Sequence, residues 1–187
     1  MTTTPPADAV VVAVSRASTH GFAKQPQRSL TLIAGEGIEG DAHRGKTVQH
    51  LYTLRKDATR PNLCQVHLFS AEMLAELAGH GYPLGPGEIG ENVLTTGLDL
   101  LGLPRGTVLC IGDGAVLEIT GLRTPCSQID GYRAGLQKYL WAPRDAKGKR
   151  TRRAGVMSIV RTGGDIQAGD PLRIELPPKP HLPLGPV

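Results

Sequence analysis

Apolar runs of roughly five to eight residues, each closed off by glycine, proline or aspartate, recur along most of this chain, and that punctuation limits its fold more than any other feature. Glycine contributes 24 of the 187 residues and proline 15, so uninterrupted helices of ordinary length have little room. Many short strands in a barrel or sandwich satisfy the pattern. The candidates are Ala9 to Ser15, Leu30 to Ala34, Cys64 to Phe69, Asn92 to Thr95, Thr107 to Ile111, Ala115 to Thr120, Gly155 to Arg161 and Leu172 to Leu176. Gly112, Asp113 and Gly114 join two of these at hairpin spacing, and Thr162 to Asp165 offers similar turn chemistry after Arg161.

Two segments read as helices. Ser70 can cap the run Ala71 to Ala78, which puts Met73, Leu74 and Leu77 on one face before Gly79 or Gly81 stops it. From Tyr132 to Trp141 the residues Leu136, Tyr139 and Leu140 have helical spacing, and this helix is expected to cover one mouth of a barrel. The organisation expected is a flexible stretch 1–7, one domain over 8–176, and an extended proline-rich tail over 177–187.

Charge and cysteine content narrow the function classes. The formal charge is +4, but residues 144–153 alone carry +5, through Arg144, Lys147, Lys149, Arg150, Arg152 and Arg153 against Asp145. One loop thus supplies the basicity, and without interleaved aromatics for base stacking it does not read as a nucleic-acid surface. No apolar run reaches the ~18 residues of a membrane span. The Thr- and Pro-rich start does not resemble a secretory signal, and the expected compartment is the cytoplasm. Cys64, Cys110 and Cys126 are odd in number and widely spaced, which implies no disulfide framework.

The densest polar cluster is the loop from Gly37 to Gly45, where Glu39, Asp41, His43 and Arg44 stand among three glycines. Such a loop can offer N–H groups and a guanidinium to an anion, or simply pair its charges internally. Cys126 follows the strand Ala115 to Thr120 in the loop from Gly121 to Gln128, so its thiol is expected at a strand exit, with Arg123 three residues away to favour thiolate. Cys110 lies within an apolar run and reads as core. Cys64 and His67 spell C-x-x-H, yet residues three apart on a strand point to opposite faces and cannot share zinc. His67 then reads as a half-buried strand histidine. Asn92, after Glu88 to Glu91, can bond a heterocycle or satisfy its own turn. Walker, dinucleotide and nucleophile-elbow motifs do not occur in the sequence.

Taken in order, GIEGDAHRG (37 to 45), PNLCQVHLFSAEML (61 to 74), GEIGENVLTTGLDLLGLP (87 to 104), GTVLCIGDGAVLEITGLRTPCSQ (106 to 128) and AGVMSIVRTGGDIQAGD (154 to 170) resemble the MOSC domain, named for the C-terminal domain of molybdenum cofactor sulfurase. The resemblance implies a mainly antiparallel β-barrel of the pyruvate-kinase-barrel type with a few short helices. It implies binding of the molybdenum cofactor, with Cys126 as the residue that ligates molybdenum or carries sulfur. It further implies sulfur transfer or reduction of N-hydroxylated compounds, as in the short stand-alone bacterial members. On this reading His43 or Asp41 is the proton donor, and Arg44, Asn92 and Arg123 join Cys126 in holding the pterin cofactor and its phosphate. A reductase of this size would need a separate electron-donor protein, and a sulfur transferase a separate sulfur donor. The alternative is a non-catalytic carrier that binds the cofactor and hands it on.

Overall fold

Ala115, Leu117 and Ile119 alternate along one strand, and all three are sealed from solvent at the centre of the fold, as burial of a period-two apolar face requires. The structure is a computed structural model that describes residues 9–50 and 54–187; the expected flexible stretch 1–7 lies outside the described residues. In chain order the elements are β1 (Val10–Arg16), β2 (Gln25–Gln27), β3 (Ser29–Ile33), β4 (Gly37–Ile38), β5 (Val66–Ser70), α1 (Ala71–Gly79), β6 (Val93–Thr96), β7 (Val108–Ile111) and β8 (Ala115–Leu122). There follow α2 (Ser127–Tyr132), a 3-10 turn (Gln137–Leu140), β9 (Trp141–Arg144), β10 (Arg150–Arg152), β11 (Val156–Thr162), β12 (Gly164–Gln167) and β13 (Leu172–Glu175).

The chain is mainly β with few helices. Its largest sheet has eight strands in the order β13-β7-β8-β11-β5-β6-β1-β2, beside a three-stranded sheet β12-β3-β4 and the hairpin β9·β10. The closed, purely antiparallel barrel implied by the resemblance is not what the hydrogen bonds make. The sheets are open, and β5 pairs with β6 in parallel, the two strands being joined through α1. After β11 the chain does not double back at Thr162 to Asp165 as a hairpin; β12 pairs with β3 instead, in the second sheet. A single bridge, Val10 to Pro171, brings the start of β13 beside β1 without extending the ladder.

One core lies between the sheets, where Leu30, Leu32 and Ile166 from the small sheet meet Val66, Leu68, Leu109, Leu117 and Val156 from the large one. A second apolar layer covers the other face of β5 and β6: Phe69 and Leu94 pack with Leu77 of α1, Ile129 of α2, and Leu136 and Leu140 around the 3-10 turn. Helix α1 forms as its sequence predicts, with Ser70 Oγ accepting from Met73 N–H at 3.2 Å and Met73, Leu74 and Leu77 buried. The predicted helix over Tyr132 to Trp141 is replaced by α2, which ends at Tyr132, and the 3-10 turn. Gly135, at φ +78, breaks the run between them. These elements line the second layer rather than plugging an opening. Cys110, expected in the core, faces outward from β7 with its Sγ 3.8 Å from Glu175 Oε1.

Segment 177–187 is extended, as its prolines dictate, and docked: Leu122 N–H donates to Gly185 O at 2.7 Å and Arg105 N–H to Leu182 O at 2.9 Å. The basic stretch 144–153 is the arm of a hairpin rather than a plain loop. Truncating the central strand tests the layering: Leu117→Ala should lower the free energy of unfolding by about 2–5 kcal/mol in urea titrations, whereas a loss of under ~0.5 kcal/mol, typical of a surface site, would place Leu117 outside a packed core.

Candidate functional site

The site is built on one buried carboxylate. Asp41, in the turn after β4, accepts from Lys24 Nζ at 2.7 Å and Asn92 Nδ2 at 3.0 Å through Oδ2, and from the backbone N–H of His43 at 2.9 Å and its Nδ1 at 3.2 Å through Oδ1. Asp41 and Lys24 are both only 6% exposed. Burial alone would raise the Asp41 pKa, but bonds from His43 and the charge and bond of Lys24 outweigh it and hold the carboxyl well below the usual range. Lys24 is pulled below its ordinary value by burial, with Asp41 opposing.

Two glycines make this burial possible. Gly87 and Gly90, at φ +84 and +82, press directly against the carbonyls of Lys24 and Phe22, where a β-carbon on either would collide with backbone oxygen. The turn they form drives residues 22–24 inward. It also buries Glu91, whose carboxylate accepts from the N–H groups of Gly87 at 2.5 Å and Ile89 at 3.2 Å and whose pKa burial raises.

Asn92 clamps three strands. Its Oδ1 accepts from His67 N–H at 3.1 Å in β5, and its Nδ2 donates to Ser15 O at 3.0 Å in β1 as well as to Asp41. Both polar atoms of the amide are thus engaged within the protein, which makes Asn92 part of the frame. His67 is fully buried rather than half-buried, with Nε2 against Ala154 O at 2.8 Å and Nδ1 without a partner among the described residues. Burial, reinforced by the charge of Arg123, lowers its pKa well below the ordinary value, which keeps the ring neutral.

β8 ends at Leu122, and the loop that follows holds Arg123 and Cys126. Arg123 donates from Nη1 to Ile89 O at 2.5 Å and its guanidinium lies over the Phe22 ring at 5.6 Å. Burial lowers the Arg123 pKa, opposed by the nearby thiols of Cys126 and Cys64 and by Glu91. Cys126 is half-buried at the cap position of α2, with Sγ 3.7 Å from Gln128 Oε1. Its loop is braced by Arg152 Nε on Thr124 Oγ1 at 2.9 Å and by Gln137 Nε2 on Pro125 O at 3.3 Å. Cys126 thus stands just past the end of β8, the strand exit its sequence position predicts. Cys64 stands near the same guanidinium, but burial pushes its thiol up to about 11, so it stays protonated at neutral pH.

The structure thus brings Asp41, His43, Asn92, Arg123 and Cys126 into one framework through Lys24, Phe22 and Ile89. Arg44 is not joined to it by a bond: its Nε and Nη2 pair with Glu36 Oε2 at 2.9 and 2.8 Å near the surface. Asp41, held ionised, has no proton to give at neutral pH, and His43 lies against its carboxylate. Sequence reading missed Lys24, Phe22, Glu91 and two further histidines. His20 meets His43 edge-on at 5.2 Å between ring centroids, and His50 feels the charges of His43, His20 and Arg123, which with partial burial lower its pKa. Lys24 lies in no motif; its burial appears only in three dimensions.

Because the Asp41 pKa is depressed in the folded chain, its contribution to stability is present above its unfolded value of about 4 and lost as the pH falls below it. Asp41→Asn should therefore be less stable than wild type at pH 7 by about 3–5 kcal/mol, the cost of stranding a buried lysine. It should also show a shallower loss of stability between about pH 4 and 2 in denaturation series. Parallel acid limbs in the two proteins would contradict the ionised, load-carrying Asp41.

The MOSC domain family profile matches residues 46–173. Among solved structures, the YuaD protein from Bacillus subtilis is similar over 91% of this chain and 98% of its own, with 26% identity and a TM-score of 0.72. YiiM from Geobacillus stearothermophilus covers 94% of this chain and 80% of its own at 19% identity and TM-score 0.63, and YiiM from Escherichia coli 92% and 73% at 16% identity and TM-score 0.59, likenesses of fold alone. No curated protein matches the chain. With more than half of its length matched, the chain belongs to the MOSC domain family.

Proposed function

We propose that the chain binds the molybdenum cofactor at the loop from Arg123 to Cys126, with Cys126 as sulfur ligand to molybdenum or carrier of a transferable sulfur, in reduction of N-hydroxylated compounds or in sulfur transfer. The observation that carries this reading is the half-buried Cys126 just past β8, near enough to Arg123 for their charges to interact, with that guanidinium fixed from behind by Ile89 O and Phe22. The donor set fits such a group. Among the described residues no three His, Cys, Asp or Glu side chains are grouped to hold a metal ion. A metal at Cys126 must therefore bring further ligands with it, as the sulfur-bearing pterin does. Arg123 and the rings of His20, His43 and His50 are the groups that would hold the pterin's anionic phosphate.

When bound, the cofactor supplies the two-electron chemistry. The chain's residues do the rest. Cys126 offers a soft sulfur, the braces on Thr124 and Pro125 set its direction, and Arg123 compensates negative charge beside it. His43 Nδ1 lies 3.2 Å from the ionised Asp41, to which it donates, leaving Nε2 on the side of the ring away from that carboxylate. Asp41 orients that ring. Electrons or sulfur come from a separate donor protein.

The second reading is carriage without turnover, in which the cofactor held at Cys126 is handed on unchanged.

Expression in a cofactor-producing host tests the proposal. Molybdenum and oxidised pterin should copurify with wild type and fall about tenfold or more in Cys126→Ala. Wild type without molybdenum, from cells in which another molybdoenzyme is loaded, would overturn it. Turnover of a hydroxylamine or amidoxime by the loaded protein separates reductase from carrier, and cyanide-releasable sulfur on Cys126 marks the sulfur-carrying form.

A further inference from the structure

β8 carries Cys126 at its exit, and the last residues of that strand are held from an unexpected side. Its partner β7 stops short: beyond the ladder only the chain just before it follows, with Ile119 N–H donating to Thr107 O and Gly106 N–H to Ile119 O, both at 2.9 Å. At Gly121 and Leu122 the flank is taken over by segment 182–187. Leu122 N–H donates to Gly185 O at 2.7 Å, Val187 N–H to Leu122 O at 3.4 Å, and Leu122 bridges Pro186 in parallel. Upstream, Arg105 N–H donates to Leu182 O at 2.9 Å, and Leu184 packs onto the main core.

Gly121 is what admits this segment. A β-carbon there would stand 2.6 Å from Gly185 O and collide with Val187 Cγ2, and Gly121 does not adopt a left-handed conformation that would by itself call for glycine. The absent side chain leaves a slot, and the slot is filled by the chain itself.

We infer that the slot beside Gly121 and Leu122 is a peptide-binding site for an extended Leu-Pro-Leu-Gly-Pro-Val-type segment, occupied here by residues 182–187, and that its occupancy positions the Arg123 to Cys126 loop. With the segment seated, Leu122 is paired on both sides, to it and to Val156 of β11, and Arg123 N–H is carried to Gly155 O at 3.0 Å. With it gone, the end of β8 becomes a one-sided edge with an unpaired N–H and C=O, the kind of segment that opens locally. The loop that presents the thiol then loses one of its two flanks. Recognition would be by main-chain bonds, with selectivity from the missing Gly121 side chain and from the seat of Leu184. The inference stands whether or not Cys126 meets a pterin.

The test uses the full chain, a variant lacking residues 177–187, and Gly121→Ala. Amide exchange at Leu122 reports the slot, and the rate of Cys126 alkylation by iodoacetamide at fixed pH, read by mass spectrometry against Cys110 on β7, reports the loop. Removal of the segment should expose the Leu122 amide and speed Cys126 alkylation at least about threefold while Cys110 stays constant, the pattern of local rather than global opening. A synthetic peptide of residues 180–187 added in trans should restore both readouts in the shortened protein, but not when it also carries Gly121→Ala. Should the shortened protein fail to fold, full-length Gly121→Ala must by itself give the two changes. An unaltered Cys126 rate once Leu122 has lost protection, or no rescue by the peptide, would overturn the inference.

Discussion

A carboxylate sealed from water between a lysine, a histidine and an asparagine is the constraint on which the rest of this molecule depends. Asp41 joins the turn after β4 to Lys24, to Asn92 at the start of β6 and, through Asn92, to β1 and β5. An ion pair this deep is costly unless further bonds support the charge, and here Asn92 and His43 add them to the Asp41 carboxylate. What such a network gives is a fixed arrangement: the segment 22–24 is pinned, Phe22 lies under Arg123, and Arg123 reaches Ile89 O. The position of the guanidinium beside Cys126 is a consequence of a charge pair on the other side of it.

The strands were legible because burial imposes period two, and glycine and proline cut the chain where it turns. Ser70 and the Met73, Leu74, Leu77 stripe made α1 equally plain. What stayed hidden was non-local. No residue between 160 and 167 says that β12 will pair with β3, more than a hundred positions earlier, nor that β5 and β6 run parallel. Helix α2, six residues containing Gly131, is too short to show a period.

The same divide runs through the site. Cys126 and Arg123 were visible as a thiol and a cation at a strand exit. Lys24, between Ala23 and Gln25, belongs to no pattern, and its importance arises only when Gly87 and Gly90 push it inward. Arg44 and Asn92 have the chemistry of ligand-binding groups, but Glu36 and the His67 and Ser15 backbones claim them first. The basic hairpin shows the same preference for internal partners: Arg150 and Arg152 lie over Trp141 at 5.7 and 5.3 Å, and Arg152 also braces the cysteine loop through Thr124. The charge concentrated in this hairpin is thus partly spent on internal contacts.

The account stands or falls on what the sulfur of Cys126 touches. X-ray absorption at the molybdenum edge of cofactor-loaded protein, wild type against Cys126→Ser, reads that contact without reference to any substrate. The prediction is a sulfur in the metal's coordination shell of the wild type that is missing from the variant. Indistinguishable shells in the two proteins would contradict it.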